Sequence, residues 1–222
     1  SLALVIVLVI LMDIAAQMNI WSVISVSGMR AQDVANKLLP GLGVIIAILV
    51  AIGGLAFNVG NVGGVALGFN AMLGLDQKIG AVIAGCLGIL IFINKNAKTI
   101  MDKVATVLAT VILVTVLAVA IKSQPPMGEV AKGLGSFGQL FDKETDMFTA
   151  LTTILGGSCG GYIAFSGAHR LLDAGISGAE NVGHVRRSVI QGCGTSGMVR
   201  ILLFLAVLGP CTVGTTWVAE NA

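Results

Sequence analysis

The chain has 222 residues, of which 56% are hydrophobic and 11% charged, with a formal net charge of +2. Soluble domains carry about 25% charged residues, so this composition, with a mean hydropathy of +0.97, describes an integral membrane protein. The small net charge and the lack of a basic cluster argue against a nucleic-acid partner, and the length suits one membrane domain, 1–222.

Runs of roughly 20 apolar residues are long enough to cross a bilayer. Six candidate spans follow one another at 2–19, 40–73, 79–93, 100–121, 148–175 and 185–209. A polar, amphipathic connection with Arg30, Asp33 and Lys37 joins the first two. The second span is long for one crossing, and its Ala56, Gly60, Gly64 and Gly68 recur every four residues. Gly80, Ala84 and Gly88 repeat the pattern on the third. Such stripes let backbones approach closely in lipid, where no hydrophobic drive brings helices together. The segment from Lys122 to Asp146 is polar and carries Glu129, Lys132, Asp142, Lys143 and Glu144. Short loops rich in Lys and Arg stay in the cytoplasm. Lys95, Lys98 and Lys103, then Arg170, Arg186 and Arg187, and finally Arg30 with Lys37 all fall inside if the chain crosses six times, and 123–146 falls outside.

The fifth span is interrupted by Gly156-Gly157-Ser158-Cys159-Gly160-Gly161-Tyr162, with four glycines in its first six residues. Unwound backbone at membrane depth persists only where protein buries it or where it lines a wet cavity. Helices broken near the midplane are where transporters hold ions and substrates. The sequence therefore predicts unwinding near 156–162, with carbonyls, the Ser158 hydroxyl and the Tyr162 hydroxyl available as hard oxygen ligands.

Asn58 and Asn61 lie three apart and share a helix face, either as hydrogen-bonding glue between helices or as neutral ligands on a cation route. Asp13 and Arg200 are ionisable residues within apolar runs, where charge is costly. Asp13 reads as sitting near a cytoplasmic helix end in water. Arg200 reads as facing the bundle and needing an acidic partner from outside this chain. His169 reads as solvated at the end of its helix. Cys86, Cys159, Cys193 and Cys211 have no metal-binding or disulfide spacing and read as small buried hydrophobes. No serine triad, paired carboxylate, P-loop or dinucleotide fingerprint is present, so nothing supports an enzyme or a bound cofactor.

These residues resemble the NRAMP divalent-metal transporters, and more closely the NRAMP-related magnesium transporters. The similarity extends over the whole chain, which would correspond to the second through seventh helices of that fold, and both chain ends read as cut. The family's sixth helix carries a pattern of the form GATxMPHN. Laid on it, Gly157 falls on the residue whose carbonyl reaches the metal, Gly160 on the metal-binding methionine and Tyr162 on a histidine associated with proton coupling. On the third helix the pattern DxxExxG falls on Asn58, Asn61 and Gly64, with Asn70 and Gly74 keeping the spacing. Arg200 falls near a family asparagine. The first helix, with its Asp-Pro-Gly-Asn motif, is outside this chain.

The resemblance implies an all-α polytopic membrane protein with a LeuT-type inverted-repeat bundle, present in part, in a bacterial plasma membrane. It implies a secondary carrier of divalent cations working by alternating access, with Gly157, Ser158, Gly160, Tyr162, Asn58 and Asn61 at the metal. The departures point toward Mg²⁺ and Mn²⁺ and away from proton coupling. A thioether selects soft metals, and Gly160 removes it. Mg²⁺ keeps much of its water shell, and glycine leaves room for that water. Three further readings stand beside this one: a proton-coupled Mn²⁺/Fe²⁺ symporter, a LeuT-type carrier of a small organic substrate, and a non-transporting membrane subunit.

Overall fold

A computed structural model describes residues 2–93, 97–141, 146–159 and 161–221, with side chains at 2–91, 93, 103–139, 146–158 and 164–211. Lys95, Asp142, Lys143, Glu144 and Gly160, and the side chains of Lys98, Cys159 and Tyr162, lie outside the described residues.

The described residues form α1 (Leu2–Ser27), α2 (Ala31–Leu38), α3 (Leu42–Leu73), α4 (Gln77–Ile93), α5 (Ala97–Lys122), α6 (Met127–Leu134), α7 (Met147–Cys159), α8 (Gly161–Asp173) and α9 (Val182–Asn221). Two short 3-10 turns cover Phe137–Phe141 and Ala179–Asn181. Four helical stretches are long and apolar enough to cross a membrane, Leu2–Ser27, Leu42–Leu73, Lys103–Lys122 and Ala179–Cys211, and two shorter apolar helices cover Gln77–Ile91 and Met147–Ser158. The first helix outruns the span predicted at 2–19: Ile20, Trp21, Val23, Ile24 and Val26, interspersed with serines, continue it until Gly28 (φ 62) takes the left-handed conformation and its N–H returns to the Ile24 carbonyl at 3.1 Å. That geometry closes a helix and suits glycine.

The chain divides into two compact units, Ser1–Ala47 with Leu113–Ala222, and Ile48–Ile112. In the first, α1 is the spine. It is apolar all round, as a helix covered on several sides must be. Its N-terminal half packs Leu4, Val5 and Val9 against Met147 and Leu151 of α7. Its C-terminal half packs Ile24 against Ala168 of α8 and Ala31 of α2. α7 and α8 therefore run parallel to α1, one on each half. α9 runs antiparallel: the Gly178 N–H just before it donates to the Ser25 carbonyl at 2.8 Å, and Gly197 lies against Ile10 further along. Close approach, not escape from water, favours these contacts, because lipid is as apolar as leucine. Gly209 likewise lies against Ser123, whose hydroxyl donates to the Leu205 carbonyl at 3.1 Å and ties the end of α5 to α9.

α2 is amphipathic as its sequence predicts. Ala31 and Ala35 are buried, while Asp33, Asn36 and Lys37 are exposed. Asp33 in the first turn and Lys37 in the last suit the helix dipole. Its C-terminal end folds back on α3: the Gly43 N–H donates to Asn36 Oδ1 at 2.8 Å, and a Cβ on Gly43 would run into the Gln32 carbonyl.

In the second unit α3 continues unbroken to Leu73, and Gly74 (φ 68) closes it with its N–H on the Asn70 carbonyl at 2.9 Å. Of the small-residue stripes, Gly80 makes a close helix contact, where a Cβ would come within 3.1 Å of Ala66 Cα. Gly60, Gly64, Gly68 and Gly88 meet no other side chain or distant backbone within 4 Å. Among the cysteines, Cys193 is buried as expected, but Cys86 and Cys211 are exposed. A small apolar thiol faces lipid as readily as protein, so apolar surroundings in sequence do not imply burial.

Candidate functional site

Among the described residues, the unwinding predicted near 156–162 is not present. Gly156, Gly157, Ser158 and Cys159 are still helical in α7, and α8 is helical from Gly161 onward. A glycine costs a helix about 1 kcal/mol relative to alanine, which packing of both halves against α1 can offset. Gly160, which falls on the family's methionine, lies outside the described residues, as does the Tyr162 side chain.

Ser158 is buried, at 6% exposure, and its hydroxyl donates to the Ile154 carbonyl one turn back at 2.6 Å. That bond uses the only proton and leaves oxygen lone pairs free to accept or to coordinate. A Cβ built on Gly156 or Gly157 would meet nothing within 4 Å. The flank of the helix at these two residues is open in this chain.

Asn58 and Asn61 belong to the second unit, both exposed on α3. Asn58 Nδ2 donates to the Gly54 carbonyl of its own helix at 2.8 Å. That bond uses one of the two N–H donors of the amide, and Oδ1 is an acceptor. The Gly157–Ser158 pair lies in the first unit and the asparagine pair in the second.

Asp13 differs most from its sequence reading. It is not in water at a helix end: it is 2% exposed in the middle of α1. Gln17 Nε2 donates to Asp13 Oδ1 at 2.6 Å, and Arg200 Nη1 donates to Asp13 Oδ2 at 3.3 Å. Arg200 thus has its acidic partner within this chain, across 187 residues of sequence. The partner was hidden because hydropathy reports depth along a span but not which helix stands opposite. Gln17, four residues after Asp13, was not singled out, although that spacing places the two on one face. With its charge matched by Asp13, Arg200 is not a bare cation in the bundle.

A second cluster holds α8 in place. Trp21 Nε1 donates to the Ala164 carbonyl at 2.8 Å, and Gly167 gives the indole its space, since a Cβ there would overlap the ring. His169 is not simply solvated. Its Nε2 accepts the Ala31 N–H at 3.1 Å. It thereby caps α2, whose N-cap residue, Arg30, makes no side-chain cap. Arg30 reaches Asp173 at 3.5 Å, with both side chains more than half exposed. Trp21 carries no sequence signal beyond being a tryptophan near the end of an apolar run.

No three His, Cys, Asp or Glu side chains come together among the described residues.

Four apolar helices long enough to cross a membrane, among the described residues, define an all-α polytopic membrane protein, and the family to which the chain belongs has the LeuT-type fold. The chain matches the family described as natural resistance-associated macrophage protein-like over residues 1–208, and it belongs to that family, Nramp. It is 43% identical over 221 residues to an uncharacterized membrane protein of Haemophilus influenzae, covering 100% of this chain and 54% of that protein. It is 44% identical over 214 residues to the uncharacterized membrane protein YcsG of Bacillus subtilis, covering 96% of this chain and 52% of that one. The chain thus spans about half the length of these curated relatives. No solved structure matches it.

Proposed function

We propose that the protein containing this chain is a carrier of divalent cations in a bacterial plasma membrane. It favours Mg²⁺ and Mn²⁺, works by alternating access and is not coupled to protons, as in the NRAMP-related magnesium transporters. Membership of the Nramp family supports the class. The observation that carries the finer reading is the replacement of the family's methionine by Gly160 and of its two acids by Asn58 and Asn61. Without a thioether the site loses its preference for soft metals. The open flank at Gly156 and Gly157 leaves space for an ion that keeps part of its water. Gly157 contributes its carbonyl, Ser158 and Tyr162 their hydroxyl oxygens, and Asn58 and Asn61 neutral oxygens that do not titrate.

Uptake of Mg²⁺ and Mn²⁺ into liposomes holding the full-length protein, with internal pH recorded, tests this reading. Entry of both ions without acidification is expected. Metal-driven acidification would overturn the uncoupled mechanism, and failure of Mg²⁺ to enter or compete would overturn the selectivity.

Arg200 favours a second reading, a carrier of a small organic anion. Its guanidinium has five N–H donors, and Asp13 occupies one at 3.3 Å, so planar recognition of a substrate carboxylate is chemically open to it. Uptake of an organic acid that Mg²⁺ does not compete with would select this reading over the first.

A further inference from the structure

We propose that His169 is the joint of a pH-sensitive latch tying α2 to α8, the second half of the interrupted span. The geometry is specific. The Ala31 N–H is one of the orphan donors at the start of α2, and the acceptor it finds at 3.1 Å is His169 Nε2, 138 residues away. This bond exists only while Nε2 carries no proton, so the imidazole is neutral with its hydrogen on Nδ1. Protonation turns Nε2 into a donor facing a donor. The cap is then lost, and a positive charge stands at the positive end of a helix dipole. Histidine makes this change between about pH 5 and 8.

The surrounding charges do not provide a substitute cap. Arg30, in the connection before α2, and Arg170, next to His169 on α8, are cations; Asp33 on α2 and Asp173 on α8 are exposed acids. Asp173 is engaged by Arg30. α1, packed against α8, has no charged residue after Asp13.

The other end of α2 explains why the latch matters. Asn36 accepts the Gly43 N–H at 2.8 Å, so α2 is fixed to the start of α3 while His169 fixes it to α8. α2 is then a strap between two spans, released at one end by acid. Neutral His169 adds a polar tie between α8 and the strap, and acidification removes that tie while the apolar contact of Ala31 with Ala168 remains. This device is independent of the transported substrate.

Hydrogen exchange of the full-length protein in lipid nanodiscs between pH 8 and 5, corrected for the intrinsic dependence of exchange on pH, tests the latch. Loss of an N-cap corresponds to about a fivefold change in the opening equilibrium. Protection of the first-turn amides of α2 is therefore expected to fall about fivefold on acidification. His169→Gln keeps an acceptor that does not titrate and should flatten the profile. His169→Ala should be deprotected at every pH. Asp173→Asn, which breaks the exposed pair with Arg30 but keeps the His169 cap, should still lose protection on acidification. A flat wild-type profile, or an unchanged pH dependence in His169→Gln, overturns the proposal. If His169→Ala does not fold, the comparison of wild type with His169→Gln still decides it.

Discussion

Removing Arg200 should destabilise the protein far more than removing it together with Asp13. Asp13's side chain is 3% exposed and Arg200's is 26% exposed. Arg200→Met leaves a buried carboxylate still bonded by the Gln17 amide. Stranding one member of a buried pair costs about 3–5 kcal/mol, and the surviving 2.6 Å bond from Gln17 places this case near the lower limit, at about 3 kcal/mol. Asp13→Asn keeps an oxygen for Gln17 and strands Arg200. That side chain is partly open and long enough to turn its head toward water, so its loss should cost about 1 kcal/mol. In Asp13→Asn/Arg200→Met neither charge remains, and the cost should return to about 1 kcal/mol. The singles sum to about 4 kcal/mol and the double costs about 1, which gives a coupling of about 3 kcal/mol. Reversible unfolding of the full-length protein in bicelles measures all three variants. Additivity within about 0.5 kcal/mol would refute the claim that this pair is a coupled contact between α1 and α9.

Trp21→Phe removes the indole N–H from the Ala164 carbonyl and should lower stability by about 1 kcal/mol in the same unfolding assay. Gly167→Ala drives a methyl into the Trp21 ring and should cost about 1–3 kcal/mol; combining it with Trp21→Ala should recover part of that loss. Gly43→Ala meets the Gln32 carbonyl and the Asn36 amide, so it should loosen the C-terminal end of α2, read as faster hydrogen exchange at Gly43 and its neighbours. Gly160→Met restores a thioether and should shift uptake from Mg²⁺ toward transition metals; unchanged Mg²⁺ transport in that variant would count against the proposed site.

Much of the architecture is legible because membranes make sequence explicit. Backbone groups in lipid must pair within their own segment, so an apolar run is already a helix, and α1, α3, α5 and α9 follow from hydropathy. Their ends are less legible: α1 continues through Asn19–Ser27, where serines alternate with apolar residues and Trp21 and Ile24 pack against α8 and α2. The glycine cluster at 156–161 suggests unwinding, yet Gly156–Cys159 remain helical, since propensity costs of about 1 kcal/mol per glycine yield to packing. The residues assigned to the metal are readable as types, an alcohol, amides and glycines, but their hydrogen bonds are not. Ser158 spends its proton on Ile154 and Asn58 its amide on Gly54, both within one turn of the same helix.

The sequence by itself determined what varies along one dimension. It placed the protein in the membrane and ordered the apolar segments. Only the tertiary structure decided which distant residues meet. Asp13 and Arg200 pair across 187 residues, and His169 caps a helix 138 residues away. Local hydropathy and helix propensity depend on neighbours within a few residues. The partner of a buried charge or of an orphan N–H depends instead on which helix face packs opposite, and this follows from the folded bundle as a whole.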